Sequence, residues 1–320
     1  MVVVRILLTG VSGFVGAALL PRLLEHGHEV RALARDRARV EQALAPSGVG
    51  LSDFELLIGD TVSGLGVSGA MRDVEVAYYL IHSMEPTAEG GVAGPFPARE
   101  RASADTFAQT ARAAGVSRIV YLGGLLPDHE TTSAHLSSRY AVERILLDAI
   151  PDSVALRASI VIGARSRSFR FLVRLVERLP VLALPAWRHY RTQPIDERDI
   201  VEMLVACASM SSIAGCSLDV GGPDVLTYGE MVERIAELML LARPSFGLRV
   251  TATPLAARLA AALTDERPEL VLPLMEGLTC DLIPSDKRAP DSLNVDLHSF
   301  DSAVEHALYE WEKVEPLAAH

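Results

Sequence analysis

The sequence predicts an α/β fold built on a doubly wound parallel sheet, and three observations carry that reading. Short runs rich in β-branched residues and leucine alternate with stretches of helical periodicity through the first half of the chain. Several of those runs are apolar enough to be covered on both faces, as strands of a parallel sheet are, and a glycine-rich turn joins the first run to the first helix. With 320 residues, 49% of them hydrophobic, the chain can bury a large core.

Val2 to Leu8 is the first strand, ended by Thr9-Gly10, and Val15 to His26 follows with Leu19, Leu20, Leu23 and Leu24 at helical spacing. Glu29 to Ala34, Phe54 to Ile58 and Val74 to Ile81 are the next three strands. Pro97 opens a helix through Ala114, Gly115 ends it, and Ser117 to Leu122 is the fifth strand. Ala134 to Ala149 is a helix with Leu136, Tyr140, Val142, Ile145 and Leu146 as its apolar set, and Val154 to Ile162 is the sixth strand. After Gly163 the pattern changes to a helix through Phe169 to Arg178, a proline-interrupted excursion from Pro180 to Pro194, and a late strand at Cys216 to Val220. Beyond Gly221-Gly222-Pro223 the periodicity is mainly helical, with Tyr228 to Leu241, Leu255 to Leu263, Glu269 to Leu278 and Phe300 to Trp311 as helices. Residues 1–164 therefore form one unit whose sheet is completed by about 192–222, while 165–191 and 223–320 form a smaller, mainly helical substrate or lid region.

Charge and cysteine usage exclude several classes. A formal net charge of −11 repels phosphate-coated polymers, so no nucleic-acid partner is expected. Cys207, Cys216 and Cys280 lack the paired spacing of a zinc site and are an odd number for a disulfide framework, which predicts reduced thiols and a cytoplasmic location. His82, His129 and His189 are too scattered for a metal site. Arg5 interrupts the apolar opening, which suits a buried strand rather than a signal peptide, and no other stretch is long and uncharged enough to enter a membrane.

The turn Gly10-Val11-Ser12-Gly13-Phe14-Val15-Gly16 spaces its glycines three apart between a strand and a helix, the Rossmann-like arrangement for a dinucleotide. Gly10 permits the tight turn, Gly13 lets the backbone approach a pyrophosphate, and Gly16 lets helix and strand pack closely. The amides and positive end of the helix then face the phosphates, which makes Thr9, Gly10, Ser12, Gly13, Phe14, Val15 and Gly16 the cofactor-contacting candidates. A packing turn with no ligand is the competing reading. The second strand ends at Arg35-Asp36-Arg37, with Arg39 close by. A carboxylate there suits the ribose 2′-hydroxyl of NAD, and a guanidinium suits the 2′-phosphate of NADP. Arg35 favours NADP, and its neighbour Asp36 leaves NAD open.

Thr9 to Gly16, together with Val30-Arg31-Ala32-Leu33-Ala34-Arg35, resembles the short-chain dehydrogenase/reductase superfamily, in particular its atypical NmrA-like branch. Gly59-Asp60, Tyr78 to Met84, Tyr121-Leu122-Gly123-Gly124-Leu125, Gln193-Pro194-Ile195 with Asp199, and Gly221 to Tyr228 are similar to that branch as well. The resemblance implies that Asp60 lies near the adenine, that Leu80, Ile81 and His82 line the adenosine side, and that Gly123 faces the cofactor. It also exposes a departure. The usual serine, tyrosine and lysine set is missing: Gly123 and Gly124 stand where the serine is expected. Placing Ser138-Arg139 on the usual Ser-Lys ahead of Glu143 puts Arg139 in the lysine position and His135 in the tyrosine position. A second register keeps the tyrosine as Tyr140 with Arg144. His135, Arg139 and Tyr140 are thus the catalytic candidates. His135 is suited to donating a proton and Arg139 to holding a ribose or carbonyl oxygen, and structural roles for both are the alternative.

Phe169, Phe171, Trp187, Tyr190 and Gln193 are expected to wall an apolar substrate pocket, or else to be ordinary core. The leading expectation is an NADPH-dependent reductase of a small carbonyl or quinone-like substrate. The alternatives are a redox-sensing regulator that binds the dinucleotide without turnover, and an epimerase or dehydratase with tightly held cofactor. A homodimer is compatible with all three.

Overall fold

Seven strands lie side by side in one sheet, every neighbouring pair parallel: β1 (Arg5–Thr9), β2 (Glu29–Ala34), β3 (Glu55–Ile58), β4 (Val76–Tyr79), β5 (Arg118–Gly124), β6 (Val154–Ala158) and the late strand Ser217–Val220. Their order across the sheet is Ser217–Val220, β6, β5, β4, β1, β2, β3, the Rossmann-like doubly wound arrangement. The computed structural model describes residues 3–81, 96–127, 134–248 and 280–317.

Alternate side chains of β1 supply the two faces. Ile6 and Leu8 join a core with Leu19, Leu20 and Leu23 of α1 (Phe14–Glu25), Val40 of α2 (Arg37–Leu44) and Ile200 and Leu204 of α7 (Glu197–Cys207). Leu7 joins the opposite core, with Val67 of α3 (Val67–Ala70), Phe107 of α4 (Phe96–Ala114) and Leu146 of α5 (Ala134–Ala149). Each fully buried leucine contributes about 2 kcal/mol of transfer free energy, so both faces are held without any cross-link. A further cluster gathers Phe169, Val173 and Val176 of α6 (Arg167–Arg178), Met231 and Ile235 of α8 (Tyr228–Leu238), and Val304 and Trp311 of the helix Phe300–Glu312.

The expected sixth strand, Val154 to Ile162, is two strands. Its second part, Val161–Ile162, leaves the sheet to pair with Ile195–Asp196, and the break falls at Ser159, whose hydroxyl donates to the Gln193 carbonyl at 2.8 Å. Helix α7 was not expected from periodicity. It starts on Asp196, whose carboxylate accepts the Arg198 amide, and it packs on α1. The predicted helices at Leu255 to Leu263 and Glu269 to Leu278 lie outside the described residues.

Candidate functional site

The winding of the sheet reverses between β1 and β4, and in doubly wound sheets ligands bind outside the carboxyl ends of the strands at that point. A cavity of about 1560 Å³ opens there. Its floor is the glycine turn. Gly10 has φ +77°, and a Cβ on it would fall onto the carbonyl oxygen of Leu80, beyond the end of β4. A Cβ on Gly16 would fall onto the Gly10 carbonyl, so this glycine sets how closely α1 approaches the turn. Gly13 differs: its Cβ would meet only the Gly10 carbonyl oxygen at 3.0 Å, and Gly13 borders the cavity as the N-cap of α1, with no side-chain cap on the helix amides.

Ser12, Phe14, Val15, Arg35, Asp60, Leu80, Ile81 and Gly123 all border the same cavity. Thr9 does not. Its buried hydroxyl donates to the Tyr78 carbonyl at 2.7 Å, tying β1 to β4 behind the turn. Asp36 caps α2, accepting the amides of Ala38 and Arg39 at 2.8 and 3.3 Å. Arg35 makes no hydrogen bond or ion pair among the described residues and borders the cavity. Asp60 accepts the Val62 amide at 3.1 Å and so braces its own loop at the rim. His82 lies outside the described residues.

The three catalytic candidates separate. Arg139 borders the cavity, and its chain passes 3.4 Å from where a Cβ on Gly124 would stand. Tyr140 is 43% exposed and does not border the cavity, because it occupies the outer side of α5. His135 belongs to the first turn of α5, and its side chain lies outside the described residues. A Cβ on Gly123 would stand 2.8 Å from the ring of Tyr121, so a serine at this strand end would require that ring to shift. Glu143, the landmark of the first register, is a buried partner of Arg157 rather than a cavity residue.

Of the five expected pocket-wall residues, only Phe171 borders the cavity. Phe169 and Trp187 are consumed by the core around α6, Gln193 is buried, and Tyr190 is on the surface at 40% exposure. Tyr228, Leu282, Trp311 and Val314 supply apolar wall instead.

Sequence reasoning missed Glu197. Its carboxyl lies against Gly163 and the Phe14 ring in the cavity wall, and it makes no hydrogen bond or ion pair among the described residues. Burial, then the Asp196 carboxylate, push it up to about 7, against the pull of the Arg165 and Arg198 guanidiniums. An acid in the first turn of a helix is ordinary, so nothing in the sequence marked this one. Among the described residues no group of three His, Cys, Asp or Glu stands together to hold a metal ion, and no helix is long and apolar enough to cross a membrane.

Fold and glycine turn together define a dinucleotide-binding protein of the doubly wound class. Residues 10–159 match the family described as NAD(P)H-binding. It is 25% identical over 126 residues to NADH dehydrogenase (ubiquinone) 1 alpha subcomplex subunit 9, mitochondrial, of Arabidopsis thaliana. That stretch is 39% of this chain and 31% of the relative's length. In fold the chain is similar to UDP-glucuronic acid 4-epimerase from Bacillus cereus, solved with UDP-glucuronic acid and NAD, at TM-score 0.70 and 15% identity over 97% of this chain and 99% of that one. The Bordetella bronchiseptica enzyme WbmH, solved with NAD+, gives TM-score 0.69 and 15% identity over 99% of this chain and 100% of that one. Pal from Bacillus thuringiensis gives 0.72 and 15% over 97% and 99%.

Proposed function

We propose that this protein binds NADP(H) and acts as an NADPH-dependent reductase of a small carbonyl or quinone-like compound. The observation that carries the proposal is the continuity of one cavity. It borders Gly13 and Arg35 at one end, passes Gly123 and Arg139, and reaches Tyr228 and Trp311. At about 1560 Å³ it exceeds the ~300–1,000 Å³ of an ordinary ligand pocket and leaves room for a second molecule beside the dinucleotide.

The residues present fit the cofactor. Gly13 offers bare backbone at the start of α1 for a pyrophosphate. Arg35 meets the cavity without a partner among the described residues while Asp36 is engaged by α2, which supports a 2′-phosphate over a 2′-hydroxyl. Asp60, Leu80 and Ile81 would flank the adenosine. When bound, the nicotinamide supplies a hydride. Arg139 would hold the substrate oxygen by donation alone, since a guanidinium keeps its proton. His135, one helical turn earlier, would release the proton. Residues 1–164 would hold the cofactor, with 165–191 and 223–320 closing over the substrate.

A second reading, a dinucleotide sensor without turnover, is favoured by the glycines at the serine position and by Tyr140 outside the cavity. The Arabidopsis relative named as a subunit of a larger assembly agrees with it. Calorimetry with NADPH and NADH, followed by NADPH consumption against carbonyls and quinones, separates the readings. Turnover supports the reductase, tight binding without turnover supports the sensor, and no binding of either dinucleotide overturns both.

A further inference from the structure

We propose that Glu197 links dinucleotide binding to proton uptake: its carboxyl is held neutral when a pyrophosphate lies on the glycine turn, and loss of that proton weakens the dinucleotide. This role rests on the reading above, which places the pyrophosphate at Gly13.

Phe14 connects the two groups. Its amide belongs to the first turn of α1, where the pyrophosphate would lie, and its ring lies beside the Glu197 carboxyl. A Cβ on Gly163 would fall onto Glu197 Oε2 and onto the edge of the Phe14 ring together, so acid and ring share one corner of the wall. Gly13, Phe14 and Glu197 all border the same cavity. The carboxyl is thus about the length of one phenylalanine side chain from the anion, with an aromatic ring rather than bulk water between them. Like charges in that setting repel strongly enough to alter a protonation equilibrium about tenfold.

Among the described residues the neighbouring charges are engaged elsewhere or do not titrate in the same range. On α7 itself, the Asp196 carboxylate holds the Arg198 guanidinium through bonds of 2.6 to 3.1 Å. Arg165, ahead of α6, faces Glu197 while donating to the Ala43 carbonyl at 2.7 Å. Glu310, from the helix Phe300–Glu312, faces it while accepting from Lys313 at 2.5 Å. On α1, Arg22 is tied to Glu202 at 2.6 Å. His306 stands near Asp196, Arg198 and Glu310, and burial, then Arg198, push it below its ordinary 6.5, so it is already neutral at neutral pH. Glu197, pushed up to about 7, is the group half ionised there.

The sign follows. An incoming pyrophosphate disfavours the carboxylate, so binding draws a proton from solvent, and by reciprocity a rise in pH past neutrality weakens binding.

The test is calorimetry with NADPH and NADH on the full chain and on Glu197→Gln, at mildly acidic and mildly alkaline pH, in two buffers of different ionisation heat so that protons are counted. NADH carries no 2′-phosphate to titrate, and the NADPH phosphate is common to both proteins. The unaltered chain should take up a fraction of a proton near neutral pH and lose about tenfold in affinity on going to alkaline pH. Glu197→Gln, neutral throughout, should take up less and bind at alkaline pH about tenfold more tightly than the unaltered chain, a gain that poor folding cannot produce. Binding with equal proton uptake and equal pH dependence in the two proteins overturns this role and leaves the dinucleotide reading standing. Weaker binding by Glu197→Gln at alkaline pH overturns it as well, because the carboxylate would then be attracting the ligand. Failure of both dinucleotides to bind the unaltered chain at either pH removes the reading above and this role with it.

Discussion

The carboxylate of Glu143 holds the guanidinium of Arg157 through two bonds of 2.6 and 2.9 Å, and the Ser217 hydroxyl donates to the same carboxylate at 2.8 Å. The pair joins α5 to β6 and Ser217–Val220 at the edge of the sheet. Glu143 is 2% exposed, and removing it takes the bidentate partner from Arg157 and leaves the Asp219 carboxylate at 3.5 Å. Glu143→Ala should lower stability by about 3 kcal/mol in denaturant unfolding while leaving dinucleotide affinity of the folded protein unchanged. A large loss of affinity at full stability would show that Glu143 belongs to the site after all.

The glycines of the turn should fail in two different ways. Gly10→Ala forces a Cβ onto the Leu80 carbonyl at a positive φ and should cost about 2 kcal/mol or more of stability. Gly13→Ala adds a Cβ that meets only the Gly10 carbonyl oxygen, at 3.0 Å and at an extended φ, so its unfolding temperature should fall less than that of Gly10→Ala while NADPH affinity falls at least tenfold. Thermal unfolding and calorimetry on both variants check the contrast.

Asp36 and Arg35 are neighbours with separate jobs. Asp36→Ala removes the cap of α2 and should cost about 1 kcal/mol with little change in the preference between dinucleotides. Arg35→Ala should leave stability alone and reduce NADPH affinity about tenfold with NADH little changed. Equal losses for the two dinucleotides would remove Arg35 from any part in recognising the 2′-phosphate.

Glu197 gives the fold a pH dependence with a definite sign. Its carboxyl, pushed up to about 7 in the folded chain from an ordinary 4.5, keeps its proton where the unfolded chain has lost it. Its contribution to stability is therefore full at acidic pH and is lost as pH rises from about 4.5 through about 7, by up to roughly 3 kcal/mol. Urea unfolding at acidic and mildly alkaline pH should show this slope, and Glu197→Gln should flatten it. Identical slopes for the two proteins would contradict the burial argument.

What could be read in advance followed local rules. Glu29–Ala34 and Ala134–Ala149 have the bounds expected of them, and the glycine turn lies between a strand and a helix, because periodicity and punctuation are properties of neighbouring residues. What could not be read depends on partners distant in the chain. Helix α7 opens with Glu197-Arg198-Asp199, which looks like a solvated stretch. In the fold Asp199 is buried because the ring and amide nitrogens of His298 meet its carboxylate. Phe169 and Trp187 have the spacing of a pocket wall and of a core alike, and only the arrival of α8 and the helix Phe300–Glu312 decides that they are core.

Tyr121 and Gly123 point to the same face of β5, and the tyrosine ring fills the volume that a side chain at 123 would need. A hydroxyl-bearing side chain at 123 would need the Tyr121 ring to move aside, so a substitution at one of these two positions is felt at the other.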